Sequence, residues 1–261
     1  MQPERRRLAD EVRRLRAGLR GDLEAGITWI PWEGPGPADR ATLAPAPSVA
    51  PAPPVAAAAP APRPAALDRP GRERALAAVA AEVAGCTACR LASGRTCTVP
   101  GEGDPEAAVM FVGEGPGEQE DLSGRPFVGR AGQLLRTLIR EELGVEPERV
   151  FIANIVKCRP PGNRAPEPDE TAACLPFLRR QVAAVRPRVL VTLGNPSTQA
   201  LLQTKLGITK MRGRPVERGG FTFFPTFHPS YLLRNQAAIP DGRADFRAVR
   251  ALVERSASAG S

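Results

Sequence analysis

The chain has 261 residues, 36 Lys+Arg against 28 Asp+Glu, a formal net charge of +8 and a hydrophobic fraction of 42%. At roughly 100–200 residues per domain this length suits one or two domains, and no apolar run of about 18 residues is present, which excludes a membrane-spanning helix. Five cysteines are too few, and odd in number, for a disulfide scaffold; they fit free thiols for metal or redox chemistry in a reducing cytoplasm.

The N-terminus is basic but has no apolar core segment, which argues against a secretory signal. Glu4, Asp10, Glu11, Asp22 and Glu24 argue against a transit peptide, a class poor in acids. Leu8, Val12, Leu15, Leu19 and Leu23 share one face of a predicted amphipathic helix whose other faces are rich in Arg. A lone helix of this kind must dock on the body, on a second copy or on an unknown partner. Trp29-Ile30-Pro31-Trp32 adds a compact apolar knot. Between Ala41 and Pro70, 21 of 30 residues are Ala or Pro, the composition of an extended linker. The predicted organisation is therefore a helical extension over 1–40, a linker over 41–70, a domain over 71–255 and a disordered tail over 256–261.

Within the domain, residues 74–84 read as a helix, 107–112 as a buried strand ending at Gly113, and 129–143 as a helix. A second strand is predicted over 150–156. A helix follows over 167–185, with Pro176 expected to kink or split it. A third strand spans 189–193, a helix 197–206, a fourth strand 221–227, and a closing helix 241–254 has Asp241 as candidate N-cap. Strands alternating with helices predict an α/β fold, a three-layer αβα arrangement around a four-stranded mainly parallel sheet. Sites in such sheets collect beyond the carboxyl ends of the strands.

Those ends carry the chemistry. Gly113-Glu114-Gly115-Pro116-Gly117 allows tight turning and close approach to a ligand. It is neither a P-loop nor a dinucleotide fingerprint, because the Gly-Lys-Ser/Thr and the third spaced glycine are missing. Phe127 lies in a following loop, where a ring can stack on another ring or simply join the core. Asn154 brings an amide into an apolar strand and needs partners. His228, the one histidine, follows the fourth strand beside Pro229 and Ser230. Tyr231, Leu232 and Leu233 then form an apolar loop next to Arg234, suited to wedging into a duplex as a base leaves the stack, or else to the first turn of a packed helix. Cys86-x-x-Cys89, with Cys158 and Cys174, makes a four-thiolate set for zinc or an iron–sulfur cluster. Cys97 is left over as a bystander.

Taken together, the glycine motif, Asn154, His228-Pro229-Ser230 and the four cysteines resemble the family-four, iron–sulfur branch of the uracil-DNA glycosylases, over about residues 86–255. The resemblance implies a [4Fe-4S] cluster on Cys86, Cys89, Cys158 and Cys174, and excision of uracil from DNA to leave an abasic site. It implies that Glu114 and Gly115 line the base pocket and the water side, that Glu120 is a pocket carboxylate, and that Phe127 stacks on uracil. It further implies that Asn154 reads the polar edge of the base, that Asn163 adds a pocket or water contact, and that His228 faces the departing base. Ser230, Leu232 and Arg234 are the expected DNA contacts. The best-known glycosylases of the superfamily have an Asp where this chain has Gly115, which leaves water activation to Glu114 or Glu120. Relatives that trap DNA covalently do so through a histidine in an extra basic loop; residues 157–170 contain none. The partner expected is uracil-containing DNA, with no membrane, and the enzyme is expected to act as a monomer. A catalytically weak DNA-binding module tethered by the head helix is the competing reading.

Overall fold

The protein was analysed as a computed structural model, which describes residues 67–258. The head helix, the Trp pair and residues 41–66 of the linker lie outside the described residues. Helix α1 (Arg69–Ala84) begins inside the stretch read as linker over 41–70 and five residues before the predicted helix start at 74. Asp68 caps it by accepting a hydrogen bond from the Gly71 N–H at 2.9 Å, and Pro70 occupies the first turn, where no donor is needed.

The four predicted strands are present as β2 (Val109–Gly113), β3 (Phe151–Asn154), β4 (Val189–Leu193) and β6 (Phe221–Thr226). They pair in parallel in the order β3-β2-β4-β6. Two short antiparallel strands extend this sheet to six. Strand β1 (Glu102–Gly103) lies on β3, and β5 (Val216–Arg218) lies on β6. Both are brief and charged, as edge strands tend to be.

Alternation along the strands sends side chains to two cores. Val109, Phe111, Val191 and Phe224 pack against α3 (Arg130–Leu138), its π-helical continuation to Leu143, and α8 (Ile239–Ser258). Phe111 stacks on Phe246 of α8 with centroids 5.4 Å apart. Met110, Val112, Leu190 and Phe223 face α4 (Pro168–Val185) and α5 (Asn195–Leu202) on the other side. The result is the expected αβα sandwich.

Further details differ from the sequence reading: the closing helix runs to Ser258, into the stretch over 256–261 expected as a disordered tail. Pro176 neither splits nor ends α4, which runs continuously through it. Leu178, Val182 and Val185 bury one stripe of this helix in the core, and that burial outweighs one missing backbone hydrogen bond. Asp241 is not the N-cap of the closing helix: α8 begins at Ile239, so Asp241 sits in its first turn. The segment after His228 is not an exposed loop but a short helix, α7 (Pro229–Arg234), with Leu232 turned inward.

Candidate active site and cysteine cavity

The parallel strands end side by side. Gly113 of β2 pairs in register with Asn154 of β3, and Leu193 of β4 with Thr226 of β6. Chain connections leave β2 for β3 on one side and return to β4 on the other, so a crevice opens at the end of β2.

Asn154 ends β3 beside this crevice. The residue is buried, and its Oδ1 is the one buried side-chain polar atom among the described residues without a hydrogen-bond partner. Leaving such an acceptor unpaired costs about 1–3 kcal/mol. A Cβ on Gly113 would come within 2.4 Å of this Oδ1 and 2.6 Å of Phe127 Cζ. Gly113 is therefore required, and the amide and the ring converge on the same space. Sequence reasoning placed Gly113 at the strand end without giving it a site role.

The ring of Phe127 is held by its backbone. Phe127 has φ 53°, a left-handed conformation costing on the order of 1–3 kcal/mol for a residue with a side chain. Two contacts impose it. A Cβ on Gly132 would fall 1.8 Å from the Phe127 carbonyl oxygen, so the first turn of α3 can lie this close only with glycine. Glu120, on α2 (Glu118–Ser123), accepts from the N–H groups of Val128 at 2.8 Å and Gly129 at 2.9 Å with one oxygen. Its other oxygen accepts from the Gly117 N–H at 3.1 Å. Glu120 thus clamps the glycine loop to the Phe127 loop.

His228 stands across from Phe127, ring centroids 5.8 Å apart. Its Nδ1 accepts from the Ser230 backbone N–H at 3.1 Å and lies 2.8 Å from the Ser230 hydroxyl. An Nδ1 that accepts from an amide carries no proton, so the neutral imidazole is protonated on Nε2, which is left free to donate. Burial lowers the imidazole to about 4, with Arg234 adding to the shift and Glu120 opposing it. The ring is neutral at pH 7.

The remaining expected site residues divide. Burial raises the Glu114 carboxyl above the usual carboxylate range. Gly115 packs on the segment after β3, where its Cβ would meet Val156 at 2.9 Å. Ser230 and Arg234 sit on α7 beside His228. Leu232, expected at DNA, is 1% exposed and belongs to the core; one turn of helix instead presents Tyr231 and Leu233 outward, at 38% and 36%. Tyr231 is braced by the Phe227 ring at 4.8 Å and accepts from Asn235 Nδ2 at 2.7 Å. Asn163 lies on an exposed turn and accepts from Arg159 Nε at 2.9 Å, apart from the Phe127–Asn154–His228 group.

Cys86, Cys89, Cys158 and Cys174 line one cavity, walled by Val83 and Phe177, while Cys97 lies outside it. Arg95 donates to Cys158 Sγ at 3.3 Å, and the Lys157 backbone N–H donates to Cys174 Sγ at 3.2 Å. Burial raises the Cys89 and Cys158 thiols and pushes Cys174 up to about 12. As free thiols they stay protonated, and a bound cation is what would ionise them. Among the described residues no three His, Cys, Asp or Glu converge tightly enough to hold a single metal ion. The thiols surround the cavity rather than meet at one point. Sequence reasoning missed Lys157, which is fully buried between this cavity and Asn154, its ammonium lowered by burial to about 8.

An αβα sheet thus gathers an unpaired amide, an aromatic residue in left-handed backbone and a neutral imidazole at adjoining strand ends, where ligand sites of open α/β sheets form. Residues 100–253 match the family model described as the Uracil DNA glycosylase superfamily. The Type-4 uracil-DNA glycosylase of Thermotoga maritima is 51% identical over 168 residues, covering 64% of this chain and 87% of that protein. That of Sulfurisphaera tokodaii is 48% identical over 180 residues, covering 66% and 81%, and that of Saccharolobus solfataricus is 46% identical over 180 residues, covering 66% and 83%. The chain belongs to the uracil-DNA glycosylase superfamily, in its type-4 branch.

Proposed function

We infer that this chain is a DNA-repair glycosylase that hydrolyses the N-glycosidic bond of uracil in DNA and leaves an abasic site. The observation that carries this is the orphaned Asn154 Oδ1, aimed into a space shared with the Phe127 ring. A base inside a duplex is out of reach and must be flipped out, at roughly a few kcal/mol. Phe127 stacks on the flipped base. The Asn154 amide accepts from uracil N3–H and donates to O4, a pattern cytosine cannot match. Thymine differs by one methyl and is excluded by the close walls around Gly115.

As the bond from C1′ to N1 breaks, its electron pair moves onto the base and positive charge onto the sugar. The His228 Nε2–H donates to the uracil oxygen where negative charge develops. Glu114 holds the water that adds to C1′ and takes its proton. Glu120 positions Phe127 and contributes a fixed negative charge near His228. Asn163, on its outer turn, contacts the strand or its water. Ser230 keeps His228 in its tautomer, and Arg234 meets a phosphate. Cys86, Cys89, Cys158 and Cys174 hold a [4Fe-4S] cluster, whose four corners suit thiols spaced around a cavity, whereas zinc needs four sulfurs about 2.3 Å from one point. Through these thiols a bound cluster would tie together the segment after α1, the segment after β3, and α4. The protein acts as a monomer in the cytoplasm, and residues 1–40 engage a separate partner.

The test is release of uracil from a labelled oligonucleotide, read as strand cleavage after alkali; intact strands from folded protein overturn the proposal. Two variants refine it. Phe127→Ala is expected to lower kcat/KM on uracil roughly 10–100-fold, the equivalent of about 1–3 kcal/mol of lost stacking; an unchanged value removes the ring from the site. Tyr231→Ala with Leu233→Ala is expected to lower activity on duplex about tenfold while leaving single-stranded substrate within about threefold, because only a duplex needs the vacated stack filled. Equal losses on both substrates rule out the wedge.

A further inference from the structure

We propose that Lys157 is a positioning residue for Asn154, and that it couples base recognition to the wall of the cysteine cavity. The proposal rests on Asn154 reading the uracil edge.

Lys157 is 1% exposed, and its side chain turns back to the end of β3. The Nζ donates to the Asn154 carbonyl oxygen at 2.9 Å and to Gln181 Oε1 on α4 at 2.7 Å. Gln181 Nε2 donates in turn to the Pro100 carbonyl at 2.7 Å. The main chain of Lys157 is tied as firmly: its carbonyl accepts from the Val99 N–H at 2.8 Å, and its N–H donates to Cys174 Sγ. One residue thus joins the end of β3, helix α4 and the 99–100 segment in a buried network.

The geometry has a consequence for the base site. Asn154 Oδ1 has no protein hydrogen-bond partner, so no hydrogen bond at that oxygen fixes its aim. Its direction is set by its backbone. Gly113 pairs with it from one side, and the Lys157 ammonium holds its carbonyl from below. Asn154 and Cys158 are four residues apart, and Lys157 touches both the carbonyl of the first and the cavity that the second lines. A shift of α4 at Gln181 reaches Asn154 through this side chain, and one at Cys174 reaches it through the Lys157 backbone. An alkyl chain of similar length would fill the space but leave the Asn154 carbonyl and Gln181 Oε1 unpaired.

The experiment is a double-mutant cycle on the full chain as purified, with metal content and visible absorbance recorded for every variant. Lys157→Met is expected to lower kcat/KM on single-stranded uracil substrate roughly 10–100-fold, the range for losing a buried hydrogen bond to a charged group, with metal content unchanged. It is also expected to weaken competitive inhibition by free uracil. In an Asn154→Ala background the same substitution should cost less than about threefold, because residues acting through one contact are not additive. Equal losses in both backgrounds overturn the proposal and leave Lys157 a purely structural residue; so does full activity of Lys157→Met. Full activity of Asn154→Ala alone overturns the reading of Asn154 and this inference with it. If Lys157→Met does not fold, Gln181→Met, which removes one acceptor of the ammonium, is read in the same two backgrounds with the same criteria.

Discussion

Replacing His228 by alanine is expected to lower the single-turnover rate of uracil release by about 10²–10³-fold, the typical cost of deleting one donor to a developing oxyanion. The size follows from how the ring is held. Ser230 occupies Nδ1, so the proton sits on Nε2 and no tautomer change is needed during the reaction. Burial keeps the imidazole neutral down to about pH 4. The wild-type rate should therefore show no inflection near 6.5, the ordinary histidine value, and an inflection there would contradict the burial. Stability follows the same group. Between about 6.5 and 4 the unfolded chain binds a proton on this histidine that the folded chain does not, so stability rises with pH across that window. The contribution is full above 6.5 and is lost as pH falls toward 4. A thermal melt series from pH 7 to 4.5 should show the wild type losing stability faster than His228→Gln. Parallel curves, or an unchanged rate in His228→Ala, would remove the imidazole from the mechanism.

The strand ends were readable because an apolar run closing on glycine has few other meanings in an α/β chain, and the reactive residue types lay just beyond each run. Gly113 closes the first such run and His228 lies just beyond the fourth, while Asn154 stood out as the one amide inside the second. What escaped the sequence depends on phase and on tertiary contacts. Tyr231, Leu232 and Leu233 are three apolar residues in a row, and only the start of α7 at Pro229 decides that the middle one points inward. Strands β1 and β5 have two and three residues, too short for a period to register. Glu120 reads as a pocket acid, yet its three backbone donors come from two loops whose proximity the sequence does not encode locally. The left-handed backbone of Phe127 has its cause five residues later, at Gly132. Lys157, a charged residue in an apolar stretch, carried a signal that a buried network would later explain, since a fully buried ammonium has to be paired.

The second large effect belongs to the cysteine cavity. Cys158→Ala is expected to strip the brown colour, reduce iron from about four atoms per chain, and lower the melting temperature by roughly 10 °C. Beyond the buried Lys157 network and a small core around Leu91 and Val156, the segments that supply the thiols are tied by ion pairs at the surface. Arg180 of α4 pairs with Glu82 of α1 at 2.6 and 2.7 Å, and Arg90 reaches Asp169 at 3.0 Å, but both pairs are largely solvent-exposed and worth little. The small core here, Leu91 and Val156 with the cysteines themselves, cannot replace a covalent cross-link. Cys97→Ser supplies the control. Its backbone is held by the Asp121 carbonyl and its side chain is outside the cavity, so colour, iron and melting temperature should stay at wild-type values. Colourless wild-type protein with one zinc per chain would replace the cluster by a zinc site. A Cys158→Ala variant that keeps the chromophore, or a Cys97→Ser variant that loses it, would show that the ligand set is wrong. Because Asn154 lies four residues before Cys158 on the same segment, loss of the cross-link should also loosen base recognition, and uracil release by Cys158→Ala should fall even at temperatures where the domain remains folded.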